Sequence, residues 1–363
     1  MQIQLKTSKE KFNIFKETPI YMGVSVILLI LLILSIGFAV TLGSVDISIK
    51  EVYKIIFNKL FVLSGNDTIN SGPVHDVVWL IRLPRIILAL SVGMGLSVVG
   101  IVMQAIVKNL LADPYILGIS SGASLGATMA IMLGVGAIFG SNSIGIAGFL
   151  GALIVSILVL VIANIGGRAN SVKLLLGGMA LSSICSAFSS FIVYFANDAQ
   201  GMQKITFWLM GSVAGAKWKD IIFILPIILL GIVFFMTQYR VLNLMLLGDD
   251  VAVTLGTDLH KYRHVYLIIT SLMIGMLVYS SGMIGFVGLI IPHIVRMIFG
   301  TDHKKIIPIA AILGGIFLIW ADVLSRTLID GTEIPIGILI SMVGAPCFIW
   351  LMIKKTYGFG GKN

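Results

Sequence analysis

Charge is scarce in this sequence: only 11% of its 363 residues are Asp, Glu, Lys or Arg, against 58% apolar, where soluble domains carry about 25% charged residues. With a mean hydropathy of +1.06, water is excluded as the main solvent. Cysteine is nearly absent too. Cys185 and Cys347 both fall inside apolar stretches, where they act as small hydrophobes, so no disulfide and no paired-cysteine metal site is expected. The five histidines, His75, His260, His264, His293 and His303, are scattered, and H-E-x-x-H does not occur. The terminal Gly360-Gly361-Lys362 lacks both the earlier glycine of a P-loop and the hydroxyl residue after the lysine. Catalytic residues, metal ligands and a cofactor of its own are therefore not expected on this chain. Secondary transporters and intramembrane enzymes keep ionisable groups near the bilayer centre. Here the centres of the apolar stretches are almost free of them, which counts against both; an ion-coupled secondary transporter is kept as the alternative reading, and the lack of paired catalytic groups disfavours an enzyme further.

What the sequence does have is length of apolar run. A spanning helix needs about 20 mostly apolar residues, and ten stretches qualify: roughly 20–42, 85–107, 118–139, 144–165, 172–196, 220–239, 262–283, 284–299, 306–326 and 334–353. The expected fold is an all-α integral membrane protein, one domain over 1–363 with ten transmembrane helices plus short re-entrant and coupling helices. Ten spans put both termini on one side. Of the 25 Lys and Arg, sixteen lie in the segments that share a side with the termini, so the positive-inside bias places both ends in the cytoplasm. The net charge of +9 is thus topological and dispersed, and does not suggest a nucleic-acid surface. The first stretch follows Lys6, Lys9, Lys11 and Lys16 but is longer than a signal-peptide core and has no A-x-A site, so it should stay as an anchor in the cell membrane.

Three connections stand out. The external excursion 43–84 contains an amphipathic run, Ile47 to Leu63, and then a Gly, Asn and Ser-rich piece, Ser64 to Pro73. The apolar run from Gln203 to Ala216 is too short to cross; it either lines a cavity or lies at the interface. The loop YRVLNLMLLGDDVAVTLGTDLHKYR, Tyr239 to Arg263, reads as two short helices broken at Gly248, with Asp249 or Asp250 as N-cap and Gly256 as the stop. Glycines recur at helical spacing, as in Gly118, Gly122 and Gly126, beside Gly93, Gly100, Gly282, Gly285 and Gly288. That pattern fits close helix packing, since small residues let backbones meet where lipid gives no hydrophobic drive.

Four segments carry a resemblance: Arg82 to Gln104 running into Asn109 to Gly126, then Leu246 to Gly256, then Gly282 to Lys304, then Trp320 to Met352. Together they resemble, in order and spacing, the permeases of type II ABC importers for ferric siderophores, haem and vitamin B12. The resemblance implies a second permease subunit, two cytoplasmic ATPases that carry ATP and Mg, an external substrate-binding protein and a siderophore-type cargo. It implies that Arg82, Arg85 and Arg326 project outward to dock that protein. Segment 243–258 would form the coupling helices, with Leu247, Gly248, Asp249, Asp250, Val251, Ala252, Leu255 and Gly256 meeting an ATPase. By the same resemblance Asn109, Leu111, Ser171 and Val172 lie near the cytoplasmic gate. Trp208, Met210 and Gly211 belong to a half-helix lining the outer path, which decides the open choice for that run in favour of cavity lining.

Overall fold

The computed structural model describes residues 2–43, 47–61, 72–165, 167, 169–329 and 331–354. Among them every long regular element is a helix. In chain order these are α1 (Gln2–Thr41), α2 (Ile49–Phe61), α3 (Pro73–Val107), α4 (Ile119–Leu133), α5 (Ser143–Asn164), α6 (Ser171–Ala196) and α7 (Ala199–Met210). There follow α8 (Trp218–Thr237), α9 (Tyr239–Leu247), α10 (Asp249–Thr254), α11 (Leu259–Ser281), α12 (Val287–Phe299), α13 (His303–Thr327) and α14 (Ile336–Lys354). Apart from Gly72 and Pro73, the polar piece Ser64 to Pro73 lies outside the described residues, as do Arg168, Lys355 and Lys362 of the charge count.

Seven helices, α1, α3, α5, α6, α8, α11 and α13, are long and apolar enough to cross a membrane, whereas α4, α12 and α14 are shorter apolar helices. The stretch 118–139 is not one helix, because the chain turns left-handed at Gly134 (φ 67) and α4 stops after 15 residues. The stretch 284–299 is shortened from its start: Gly282 and Phe286 both have positive φ, so α12 begins only at Val287. Starts elsewhere follow side-chain caps. Asn170 accepts from Lys173 N (2.9 Å), Asp198 from Gln200 N (3.0 Å), Asp258 from His260 N (3.0 Å) and Asp302 from Lys304 N (3.1 Å), satisfying orphan donors of α6, α7, α11 and α13.

Helix α3 is the centre of the bundle. Its apolar window is 89% buried, against 11% for α6. Over Val77–Arg82 its ladder widens to a π turn, with Leu83 N bonded to Val78 O just ahead of Pro84, which has no N–H to give. Around α3 pack α8, α11, α12 and α13, while α4, α5 and α6 form a second layer joined through α11 and α5. Within each layer the helices meet at small residues. A Cβ on Gly93 would strike the Gly314 backbone, one on Gly100 the Gly288 backbone, and one on Gly126 the carbonyl of Ala147. The sequence pattern of glycines thus marks true backbone contacts, except at Gly285, whose surroundings are open.

Gly100→Val should therefore lower stability by about 1–3 kcal/mol through overpacking against α12, with Gly285→Ala near neutral. Thermal melts of the two purified variants in detergent check this; equal melting temperatures would contradict the backbone contact.

Candidate functional site

Two regions of α3 carry the chemistry. Arg85 sits about a third of the way along it, about 18 Å from Pro73, and Lys108 lies just beyond its last residue, about 35 Å from Arg85 at 1.5 Å per residue.

At the first end, Arg85 Nε donates to Asp322 Oδ1 (2.7 Å) and its Nη1 to both carboxylate oxygens of Glu333 (2.9 Å each). Arg326 lies 3.5 Å from the other oxygen of Asp322, one helical turn away on α13, and its Nη2 donates to Ala39 O (2.9 Å). Arg82 Nη1 donates to Val40 O (3.0 Å) and Thr41 O (2.9 Å). Arg82 and Arg326 thus satisfy the last carbonyls of α1, which have no partner within the helix, while Arg85 and Arg326 neutralise the fully buried Asp322. With Arg82 and Arg85 only 4% and 5% exposed, the expectation that they project outward is corrected. Their side chains turn into the chain: Arg85 meets the carboxylates of Asp322 and Glu333, and Arg82 meets carbonyls at the end of α1.

At the other end, α9 and α10 break at Gly248, whose φ of 108 suits glycine, and Gly256 (φ 79) ends α10. The expected capping role of Asp249 or Asp250 is not what forms: Gly248 is the N-cap, with no side-chain hydrogen bond, and both acids lie in the first turn. There they favour the helix N-terminus by charge alone. Asp249 is used elsewhere. Its carboxylate accepts from Arg263 Nη2 (2.8 Å) and lies 3.4 Å from Lys108 Nζ, while Arg263 Nη1 donates to Ala169 O (3.2 Å). Partial burial opposes ionisation of Asp249, but the hydrogen bond and charge of Arg263, with Lys108, outweigh it and hold the carboxyl below its usual range. Ala252 is buried in this packing, and Asp250 is exposed. Leu247, Val251, Val253 and Leu255 are exposed apolar side chains beside it.

The expected gate residues flank these contacts. Ser171 Oγ donates to Ile106 O (3.0 Å), tying the start of α6 to the last turn of α3, and Asn109 Oδ1 accepts from Leu111 N (2.9 Å) in the turn that follows. Val172 is exposed. Farther along, the short run is a helix over Ala199–Met210 rather than Gln203 to Ala216, because Asp198 caps it early and Gly211 (φ 68) ends it. Trp208 packs on Gly148, Ser212 N donates to Ser281 O (2.8 Å), and Met210 lines a cavity of 370 Å³ with Tyr115, Met283 and Gly337.

Several partners were not singled out from sequence. Asp113 accepts from Tyr115 N (2.9 Å) and from Phe286 N–H, and Pro114 packs on Gly288, stapling the turn after α3 to the turn before α12. Arg296 donates to Gln104. Asn243 of α9 donates to Asp302 Oδ1 (2.9 Å) and accepts from His303 N (2.9 Å). Glu333 lies within the Trp320 to Met352 segment that carried the resemblance, which is the one signal that pointed toward it.

These features describe a multi-pass membrane permease, with a buried ionic end, a structured loop at the opposite end and apolar helices between. The FecCD transport family model matches residues 27–354, and the chain belongs to that family. It is 39% identical over 330 residues to the uncharacterized ABC transporter permease protein YvrB of Bacillus subtilis (strain 168), covering 90% of this chain and 92% of the relative. It is 35% identical to the hemin transport system permease protein HmuU of Yersinia pestis, over 91% of this chain and 94% of that one. To the vitamin B12 import system permease protein BtuC of Salmonella paratyphi A it is 38% identical, over 77% and 84%. A solved structure described as an inward-facing conformation of a metal-chelate type ABC transporter matches with a TM-score of 0.79 at 30% identity, covering 92% of this chain and 99% of that one. Relatives of this kind are transport components and not enzymes.

Asp322→Ala should cost about 3–5 kcal/mol by stranding two buried guanidinium groups, and Arg85→Met with Asp322→Ala should cost less than the two single changes combined. Detergent melting of all three variants measures the coupling; strict additivity would refute the pair.

Because the folded state holds Asp249 below its usual range, its ion pairs stabilise above the unfolded carboxylate pKa of about 4 and are lost as pH falls through the lower folded value. The stability difference between wild type and Asp249→Asn should be present at pH 7, begin to shrink below about pH 4 and vanish only below the lower folded value. Melting temperatures across that range test it, and a difference that persists under acid conditions would place the loss elsewhere.

Proposed function

We propose that this chain is the transmembrane subunit of an ATP-driven importer for a ferric siderophore or similar metal chelate, working by alternating access. In this reading it pairs with a second permease subunit and crosses the membrane ten times with both termini in the cytoplasm. Two ATPase subunits sit at the α9–α10 end and a substrate-binding protein at the Arg85 end. No residue of this chain handles nucleotide; ATP and Mg belong to the partner. The cargo reading is supported by kinship with permeases named for haem and vitamin B12 and with a metal-chelate type transporter. That kinship does not favour an ion-coupled secondary transporter.

The observation that carries the proposal is the double tie of Asp249. Through Lys108 and Arg263 it reaches both the turn holding Asn109 and Leu111 and the segment leading to Ser171 and Val172. A push on α10 from an ATPase is therefore delivered to both sides of the gate at once. The exposed face of Leu247, Val251, Val253 and Leu255, with Asp250 beside it, is the surface offered to the ATPase, as contiguous apolar exposure outside the bilayer marks a partner site. Trp208, Met210 and Gly211 then belong to the outer path. At the outer end, docking through Arg85 requires a carboxylate of the binding protein to take the place of Glu333, whose side chain is 52% exposed; Arg82 and Arg326 hold the neighbouring carbonyls and Asp322 while it does so.

Leu255→Asp and Asp250→Lys should each leave the helical bundle folded and reduce co-purification of the ATPase by at least about tenfold, the scale of one lost interfacial contact of about 1.4 kcal/mol. Pull-down and ATP hydrolysis in liposomes check this. Undiminished stimulation by the loaded binding protein in both variants would overturn the assignment of the loop.

A further inference from the structure

A second cavity lies between α4, α6 and α7, with a volume of 650 Å³, and differs in kind from the 370 Å³ pocket between α4 and α5, whose walls are Leu, Met, Val, Ile, Phe, Ala and Gly. Hydroxyl groups come from Ser124 and Thr128 on one face of α4 and from Ser189 and Ser190 on α6, while Asn197 and Asp198 form the turn at its rim. The floor is apolar, made by Met202, Ile205 and Leu209 of α7. Ser189 Oγ is shielded from solvent and has no hydrogen-bond partner among the described residues. A buried hydroxyl left unpaired costs free energy unless something in the cavity takes its bond.

The charge of the lining is one-sided. Asp198 is its single ionisable carboxylate, and the lining holds no lysine, arginine or histidine. The positive end of α7 does not redress this, because Asp198 already accepts from Gln200 N and so neutralises the first turn. Hydroxyl and amide groups donate and accept equally well. An uncharged ligand rich in carbonyl or hydroxyl oxygens finds partners for each of them here. An anionic ligand of the same size loses hydration without gaining a cation and meets the carboxylate at the rim.

We propose that this cavity is a cargo vestibule selective for uncharged or cationic chelates, such as a ferric trihydroxamate in which ligand charge cancels that of the metal, over anionic ones such as a ferric tricatecholate. The inference rests on the importer reading above and deepens it by naming the chemical class of cargo. At 650 Å³ the vestibule falls within the range of about 300–1,000 Å³ that holds compact ligands.

The test uses the assembled complex with its ATPase, with Cys185 and Cys347 replaced by Ala and Ser190→Cys as the reporter, since Ser190 is an exposed lining residue. Modification rates by cationic and anionic methanethiosulfonate reagents are normalised to those of a free small thiol. The cationic reagent should be favoured several-fold, by about tenfold at most for one solvated charge, and Asp198→Asn should bring the ratio close to one. Ferric trihydroxamate should protect the introduced thiol, and ferric tricatecholate at equal concentration should not. Equal normalised rates, protection by tricatecholate, or protection by neither chelate would overturn the proposal. Co-purified, ATP-hydrolysing partner in the same sample reports on the importer reading separately, so a failed vestibule and a failed importer give different results.

Discussion

The backbone contacts of α3 with α12 and α13 are the constraint on which the other contacts rest. Between helices surrounded by lipid the hydrophobic effect offers no net attraction, so association depends on close packing and on interhelical polar contacts. Gly93 against Gly314 and Gly100 against Gly288 bring the backbones into direct contact, and Ser97 Oγ fills the space over Gly314. Only at that separation can Arg85 of α3 reach Asp322 of α13 with a 2.7 Å bond, and Gln104 of α3 reach Arg296 of α12. A methyl group at any of these glycines would separate not just two backbones but the polar pairs above and below them.

Buried ion pairs rarely repay their desolvation when compared with apolar replacements, yet they are costly to break singly. In the Arg85 cluster the geometry explains why they persist. Glu333 belongs to the segment between α13 and α14, and Asp322 to α13, so Arg85 fixes the approach of that segment to α3. Arg82 and Arg326 both end on carbonyls of α1, an otherwise exposed helix whose window is only 17% buried. Specific bonds at its last turn give α1 a fixed register that its greasy surface cannot supply.

Much of this architecture was legible in the sequence because apolar length, glycine spacing and a break at Gly248 are local signals. Each of the ten apolar stretches contains a helix, but among the described residues only seven helices are long enough to cross a membrane; the stretches 118–139 and 284–299 are cut short by positive φ at Gly134 and at Gly282 and Phe286, of which the last, a non-glycine, gives no sequence warning. The arginine cluster was harder. Read alone, Arg82 and Arg85 sit before an apolar run and look like interfacial charges, since Asp322 lies 237 positions away from Arg85 and its proximity is a property of the packed bundle. Asp249 misled for the same reason: as a local residue it suits a helix cap, but Arg263 and Lys108 outcompete the backbone N–H groups for its carboxylate. Asn243 and Asp113 are ordinary polar residues in connections, and nothing short of tertiary structure shows what each of them holds.

The same contacts define how movement could pass through the molecule. Packed helices transmit displacement because they are stiff and have discrete arrangements, and α9–α10 is fastened to two of them in different ways. Asn243 grips the first turn of α13 through Asp302 and His303 N, and α13 runs on to Asp322 in the opposite cluster. Asp249 instead holds Lys108 at the end of α3 and, through Arg263, the carbonyl of Ala169 before α6. In the importer reading the first fastening sends motion along the bundle toward the binding-protein side, and the second sends it across the mouth of the path at the near side. The two routes need not move together: α3 and α13 are in backbone contact where Gly93 meets Gly314, whereas α6, with 11% of its window buried, is tied to the last turn of α3 by the bond from Ser171 to Ile106 O and packs mainly on α4, where Gly178 lies against the backbone of Leu117. In that reading α4 and α6 would move as one unit on the near side, with the α3–α13 pair as the frame they move against.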